Sequence, residues 1–91
     1  MQENFDKYHY LNIVLGKKLK EMRLANTKLS CNRAEEEYDI GRGNLNKIEN
    51  GKISPKFTTM WKAAEASGTK LSYVISLVED EMGDDFKLID E

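Results

Sequence analysis

Residues 40–55 read I-G-R-G-N-L-N-K-I-E-N-G-K-I-S-P, and they restrict the fold more than any other stretch of the chain. Leu45 and Ile48 lie three apart in a segment otherwise made of polar donors. A helix there buries those two and turns Arg42, Asn44, Asn46 and Lys47 outward. Gly51 stops it, and Pro55 opens the next element. A short helix of this kind suits the major groove of DNA. Its outward side chains can hydrogen-bond to base edges, while Lys52 and Lys56 can meet phosphates.

The chain has 91 residues, 33% of them charged and 40% hydrophobic, which fits one small globular domain with no room for a second core. No apolar run approaches membrane-spanning length. The start, M-Q-E-N-F-D-K, has no apolar signal core, so the expected compartment is the cytoplasm. Cys31 is the one cysteine and His9 the one histidine, which excludes an internal disulfide and a zinc-finger pattern. No metal and no cofactor is expected. The net charge of −2 hides an uneven distribution. Residues 11–28 carry +4 and residues 41–62 carry +4, while residues 29–40 carry −3 and residues 63–91 carry −6. Charges are screened beyond about 8–10 Å at cellular salt, so a ligand feels the local value. The acidic total argues against a sticky, non-specific binder, not against nucleic acid.

The spacing predicts five short helices. Residues 1–10 form an arm that turns helical near Asp6. From Leu11 the residues Leu11, Val14, Leu15, Leu19 and Met22 make one helical stripe, broken at Asn26-Thr27. Ser30 is the expected N-cap of a second helix over 31–38. Asp39-Ile40-Gly41 turns the chain into a third helix over 42–50. A fourth spans 57–67, with Phe57 and Trp61 expected in the core and Gly68 at its end. A fifth spans 72–82, with Val74, Ile75, Val78 and Met82 as its stripe. Residues 83–91 form an acidic tail. With no β-alternation, the fold class is a compact all-α bundle, its domain proper over residues 11–82.

Residues 29–75, together with a first helix from Leu15, resemble the phage-repressor (Xre-type) helix-turn-helix family. L-G-K-K-L-K-E-M-R (15–23) looks like that family's first helix, and N-L-N-K-I-E-N-G-K-I-S-P (44–55) like its third helix and following loop. The resemblance implies a five-helix, lambda-repressor-like domain. It places Arg42, Gly43, Asn44 and Lys47 where the family reads bases. The candidate phosphate contacts are Ser30, Cys31, Asn46, Asn50, Lys52 and Lys56. Arg23 and Glu49 fall where an ion pair ties the first helix to the third.

This chain departs from the family pattern at several positions. Cys31 replaces the usual Gln. Ala34 and Glu35 replace a large aliphatic and an Ala, and Asp39 replaces a turn Gly, although Asp can adopt the left-handed conformation. Glu35 enters a tight helix crossing, where a buried charge is expensive. It is therefore expected to reach water or a basic side chain, and Glu35→Ala to raise stability. Ala63, Ser67 and Thr69 stand where larger apolar residues are usual, each forfeiting roughly 1–3 kcal/mol of burial.

The function these features imply is a sequence-specific DNA-binding transcriptional regulator. The runner-up is a protein-interaction module that keeps the fold without binding DNA, suggested by the acidic second helix, Cys31 and Gly43. An enzyme is not expected, because the chain has no nucleophile–base pair, metal cluster or phosphate-cradling glycine loop. The expected partners are double-stranded DNA and a second copy of the chain, joined through helix 5 and its C-terminal flank. No membrane and no small-molecule ligand is implied. Lys17, Lys18 and Lys20 read as a solvated face.

Overall fold

The computed structural model describes residues 6–89. The first five residues of the arm and the last two of the acidic tail lie outside the described residues. Five helices follow in order: α1 (Lys7–Asn26), α2 (Cys31–Glu37), α3 (Asn44–Glu49), α4 (Phe57–Ala66) and α5 (Leu71–Met82). The described residues contain no strand.

Local chemistry explains most of the boundaries. Asp6 accepts a hydrogen bond from the His9 N–H and so caps α1. The helix therefore takes in Tyr8, His9 and Tyr10, which the sequence pattern places in the arm. Thr27 closes α1, its hydroxyl donating to the Arg23 carbonyl. Ser30 caps α2 by accepting from the Arg33 N–H. Asp39 takes φ 54°, the left-handed turn expected of it. Helix α3 is shorter than 42–50: Arg42 belongs to the preceding turn, and Gly43, at φ 79°, is the N-cap.

Helix α1 runs through the centre and packs against α3, α5 and α4, while α2 packs against α3 and α4. The core joins Val14, Leu15 and Leu19 of α1 to Leu45 and Ile48 of α3 and Val74 and Val78 of α5. Ala34 and Ile40 complete it from the α2 side. Helix α4 contributes only Ala63, Ala64 and Ala66 to the fully buried set. Ser67 follows them into the interior, and its hydroxyl has no hydrogen-bond partner among the described residues. The small residues let α4 come close, at the expense of buried apolar volume.

Phe57 and Trp61 are not core residues. They are 62% and 53% exposed and pack edge to face, ring centroids 5.9 Å apart. Two stripes compete on α4. One runs Met60, Ala63, Ala64, Ser67 and is uncharged throughout; the other runs Phe57, Trp61, Glu65. The uncharged stripe turns inward, because the second would carry Glu65 with it.

Beyond α5 the chain breaks at Gly83 and folds back. The Lys7 ammonium donates to the Lys87 carbonyl at 2.6 Å and lies 5.9 Å from the Phe86 ring centroid. Phe86 and Leu88 are half-buried, whereas Ile89 is 75% exposed. Lys18 Nζ bridges α1 to α5 through Glu81, at 2.8 Å. That contact raises the Lys18 pKa and lowers that of Glu81.

Candidate nucleic-acid interface

Helix α3 is six residues long, about 9 Å at 1.5 Å per residue. Leu45, Ile48 and Glu49 face the interior. Helical spacing then puts Gly43, Asn46, Lys47 and Asn50 on the outward face. Asn46, Lys47 and Asn50 are exposed, as is Arg42 on the turn before them, while Asn44 is half-buried. Lys52 and Lys56 are exposed on the following loop. Asn12 of α1 holds that loop by donating to the Ser54 hydroxyl at 2.7 Å.

The N-terminus of α3 is held from below. Glu35, 4% exposed, accepts from three backbone N–H groups. Its Oε1 takes Gly43 N–H at 2.9 Å, and its Oε2 takes Leu45 N–H at 2.9 Å and Asn46 N–H at 3.3 Å. The expectation that Glu35 reaches water or a basic side chain is thus overturned: backbone donors surround it instead. A carboxylate with three such donors, next to the positive end of a helix, is stabilised where it sits. The expected sign of Glu35→Ala reverses as well. Removal orphans the fully buried Leu45 N–H, a loss of about 1–3 kcal/mol. Thermal unfolding of that variant should show a lower melting temperature; an unchanged or higher one would contradict the cap.

The other end of α3 is held by α1. Arg23 and Glu49 form a buried bidentate pair, Nε to Oε2 at 2.8 Å and Nη2 to Oε1 at 3.0 Å. Arg23 Nη1 also donates to the Leu29 carbonyl at 2.8 Å, tying in the chain just ahead of α2. The bond to Glu49 raises the Arg23 pKa, so the guanidinium stays charged. Close approach makes this geometry possible. A Cβ built on Gly16 of α1 would lie 2.1 Å from the Ile48 carbonyl oxygen.

These contacts change the roles of some candidate residues. The Cys31 thiol points inward and donates to Glu49 Oε1 at 3.3 Å. Burial first, then the neighbouring carboxylate, push its pKa up to about 11. The thiol is therefore committed to Glu49 and is poorly reactive. Gly43 carries no side chain, and its N–H is spent on Glu35 while its carbonyl accepts from the Lys47 N–H. Its place is the left-handed cap of α3. Asn50 folds back, its amide donating to the Asn46 carbonyl at 2.8 Å. Ser30 is exposed with its oxygen already accepting one bond, which leaves the hydroxyl proton available.

Eight of the 14 basic side chains fall into two groups. Arg23, Lys18, Arg33 and Lys62 are paired, with Glu49, Glu81, Glu37 and Asp39 respectively. Arg42, Lys47, Lys52 and Lys56 make no ion pair and no side-chain hydrogen bond among the described residues. Four uncommitted cations thus surround α3. Carboxylates temper them on one side, where Glu35, Glu36 and Asp39 line a hollow together with Arg42.

The helix-turn-helix family matches the chain over residues 19–74, more than half its length. The chain belongs to that family, in its Xre or lambda-repressor-like branch. The matched span begins within α1 and ends within α5; it takes in Arg23, Glu35 and Glu49, whereas Asn12 and Gly16 lie just ahead of it. The family is one of DNA-binding regulatory domains, not typically enzymes. Neither the curated proteins nor the solved structures give a match to this chain. No helix among the described residues is long and apolar enough to cross a membrane.

Sequence reasoning missed three residues that build this interface. Glu35 looked like a misfit. Asn12 has no role in the sequence pattern, and Asn26 figures there only as a helix break, yet it donates to the Ser67 carbonyl at 3.1 Å and ties α1 to the end of α4. One signal for Glu35 was available. Gly43 has no side chain with which to cap α3, so the acceptor had to come from elsewhere.

Proposed function

We propose that this protein is a sequence-specific DNA-binding transcriptional regulator acting in the cytoplasm, with α3 and its preceding turn in the major groove. The observation that carries this reading is the set of uncommitted polar groups around α3. Arg42, Lys47, Lys52 and Lys56 have no partner within the described fold, and Asn46 stands between them on the outward face. Arg42, Asn44 and Lys47 read base edges. Ser30, Asn46, Asn50, Lys52 and Lys56 set the register through phosphates.

Arg42 is assigned to guanine, because its guanidinium bonds in bidentate fashion to O6 and N7 and discriminates by roughly 1–3 kcal/mol. The test is selection of bound duplexes from a random pool by the wild type and by Arg42→Ala, each titrated at two salt concentrations. Wild-type affinity should fall steeply with salt as phosphate contacts release counterions. Arg42→Ala should lose preference at one base and keep it elsewhere. Unchanged preference at every base would remove Arg42 from the reading. Absence of binding at either salt concentration would leave the alternative, a protein-interaction module on the same fold.

A single short reading helix buries little surface, so the working form is a homodimer on half-sites about 34 Å apart. Helix α5 supports this. Tyr73 is 51% exposed, and Ile75 and Leu77 are only half-buried. Phe57 and Trp61 of α4 line a hollow with Leu71 and Ile75, on the other side of α5 from Tyr73 and Leu77. Phe86 adds less than its sequence suggests, because it packs on the start of α1. Sedimentation at micromolar protein should give a dimer, at least on DNA. A monomer in both states, one copy per site, would refute it.

A further inference from the structure

We infer that Glu35 is a positioning residue for DNA reading: from α2 it supplies the cap that α3 lacks, and so fixes the turn 42–44 against the helix. The inference rests on the major-groove reading of α3.

Gly43, at the N-cap, has no side chain to accept from the first N–H groups of the helix, and no such bond is made there. Its left-handed conformation, φ 79°, directs the chain without holding it. A Cβ on Gly43 would meet nothing within 4 Å, so no neighbouring group crowds that side of the turn. The turn closes through the Asn44 N–H to the Gly41 carbonyl at 2.9 Å, and the three backbone bonds to Glu35 tie this corner to α2. They link Gly43, on the turn, to Leu45 and Asn46, in the helix. Arg42 is the residue immediately before the first of these anchors, and Lys47 the residue immediately after the last. Base readout depends on placing donors to a fraction of an ångström, so loosening the corner should blur discrimination before it removes binding. Glu35 itself is buried and need not touch DNA.

The experiment uses the full chain as wild type, Glu35→Gln and Glu35→Asp. Glutamine keeps the shape but turns one acceptor into a donor facing N–H groups. Aspartate keeps the charge but withdraws it by one methylene. Amide hydrogen exchange on the free proteins reads the cap. Titration of a selected duplex and of a random-sequence duplex reads discrimination. In the wild type, the amides of Gly43, Leu45 and Asn46 should be protected. In the variants, protection should fall at these three and persist through α1 and α5. The selected-to-random affinity ratio should drop about tenfold, with random-duplex affinity nearly unchanged. Unprotected amides in the wild type would overturn the cap, even if both variants failed to fold. Deprotected amides with an unchanged ratio would overturn the positioning role. Failure of the underlying reading looks different: the wild type then binds neither duplex while its three amides stay protected.

Discussion

Replacing Gly16 with alanine is expected to cost about 3 kcal/mol or more, because a backbone carbonyl occupies the space the methyl group needs. The new Cβ would stand 2.1 Å from the Ile48 oxygen and 2.7 Å from the Glu49 oxygen. Neither is the end of a flexible side chain, so α1 and α3 must separate. Helix propensity works the other way, since glycine inside a helix is worth about 1 kcal/mol less than alanine. The clash outweighs that gain and sets the sign. For a domain of this size about 1 kcal/mol corresponds to 4–8 °C, so the melting temperature should fall by roughly 12–24 °C. Thermal and chemical denaturation followed by far-ultraviolet circular dichroism measure the two quantities. A variant as stable as the wild type would mean that α1 does not lie this close to α3 in solution.

Gly16 also illustrates what the sequence can and cannot reveal. The α1 stripe was legible, since Val14, Leu15 and Leu19 recur at helical spacing and all three are buried. So were the Ser30 cap and the left-handed Asp39, because both are decided within a few residues of chain. The reason for Gly16 lies on another helix, more than thirty residues on, and no local pattern announces it. The same holds for Glu35, whose three partners begin eight residues later. Read along the chain it is a charge in a tight place; read in space it is the acceptor that place requires. Phe57 and Trp61 failed for a different reason. Two stripes on α4 were plausible, and Glu65 at the end of the aromatic one was the discriminating residue.

The two ends of α3 are held by different chemistry, with consequences for the interface. At the N-terminal end a carboxylate from α2 meets backbone donors; at the C-terminal end Glu49 meets Arg23 of α1. Both carboxylates are satisfied internally and buried. Arg23 neutralises the charge of Glu49, whereas Glu35 keeps its charge, met by neutral N–H groups at the positive end of α3. The carboxylates that do face solvent near Arg42 are Glu36 and Asp39, and Asp39 is partly neutralised by Lys62 at 3.5 Å.

Arg23→Met should destabilise the domain by about 3–5 kcal/mol, the usual loss when one partner of a buried ion pair is removed. The Glu49 carboxylate, 3% exposed on its side chain, would keep only the weak Cys31 thiol donor at 3.3 Å. The Leu29 carbonyl would lose its guanidinium donor as well. The double variant Arg23→Met with Glu49→Leu removes both charges together. It should recover much of the loss, because exchanging a buried pair for apolar side chains is often neutral. Denaturant titration of the wild type, both single variants and the double variant closes the cycle. A single Arg23→Met loss below about 1 kcal/mol would show that the pair is not the bolt its geometry implies. DNA titration of the folded double variant adds a second criterion. Neither residue touches phosphate in the proposed reading, so the dependence of affinity on salt should keep its slope. A shallower slope would mean that Arg23 leaves Glu49 for the DNA backbone when the complex forms.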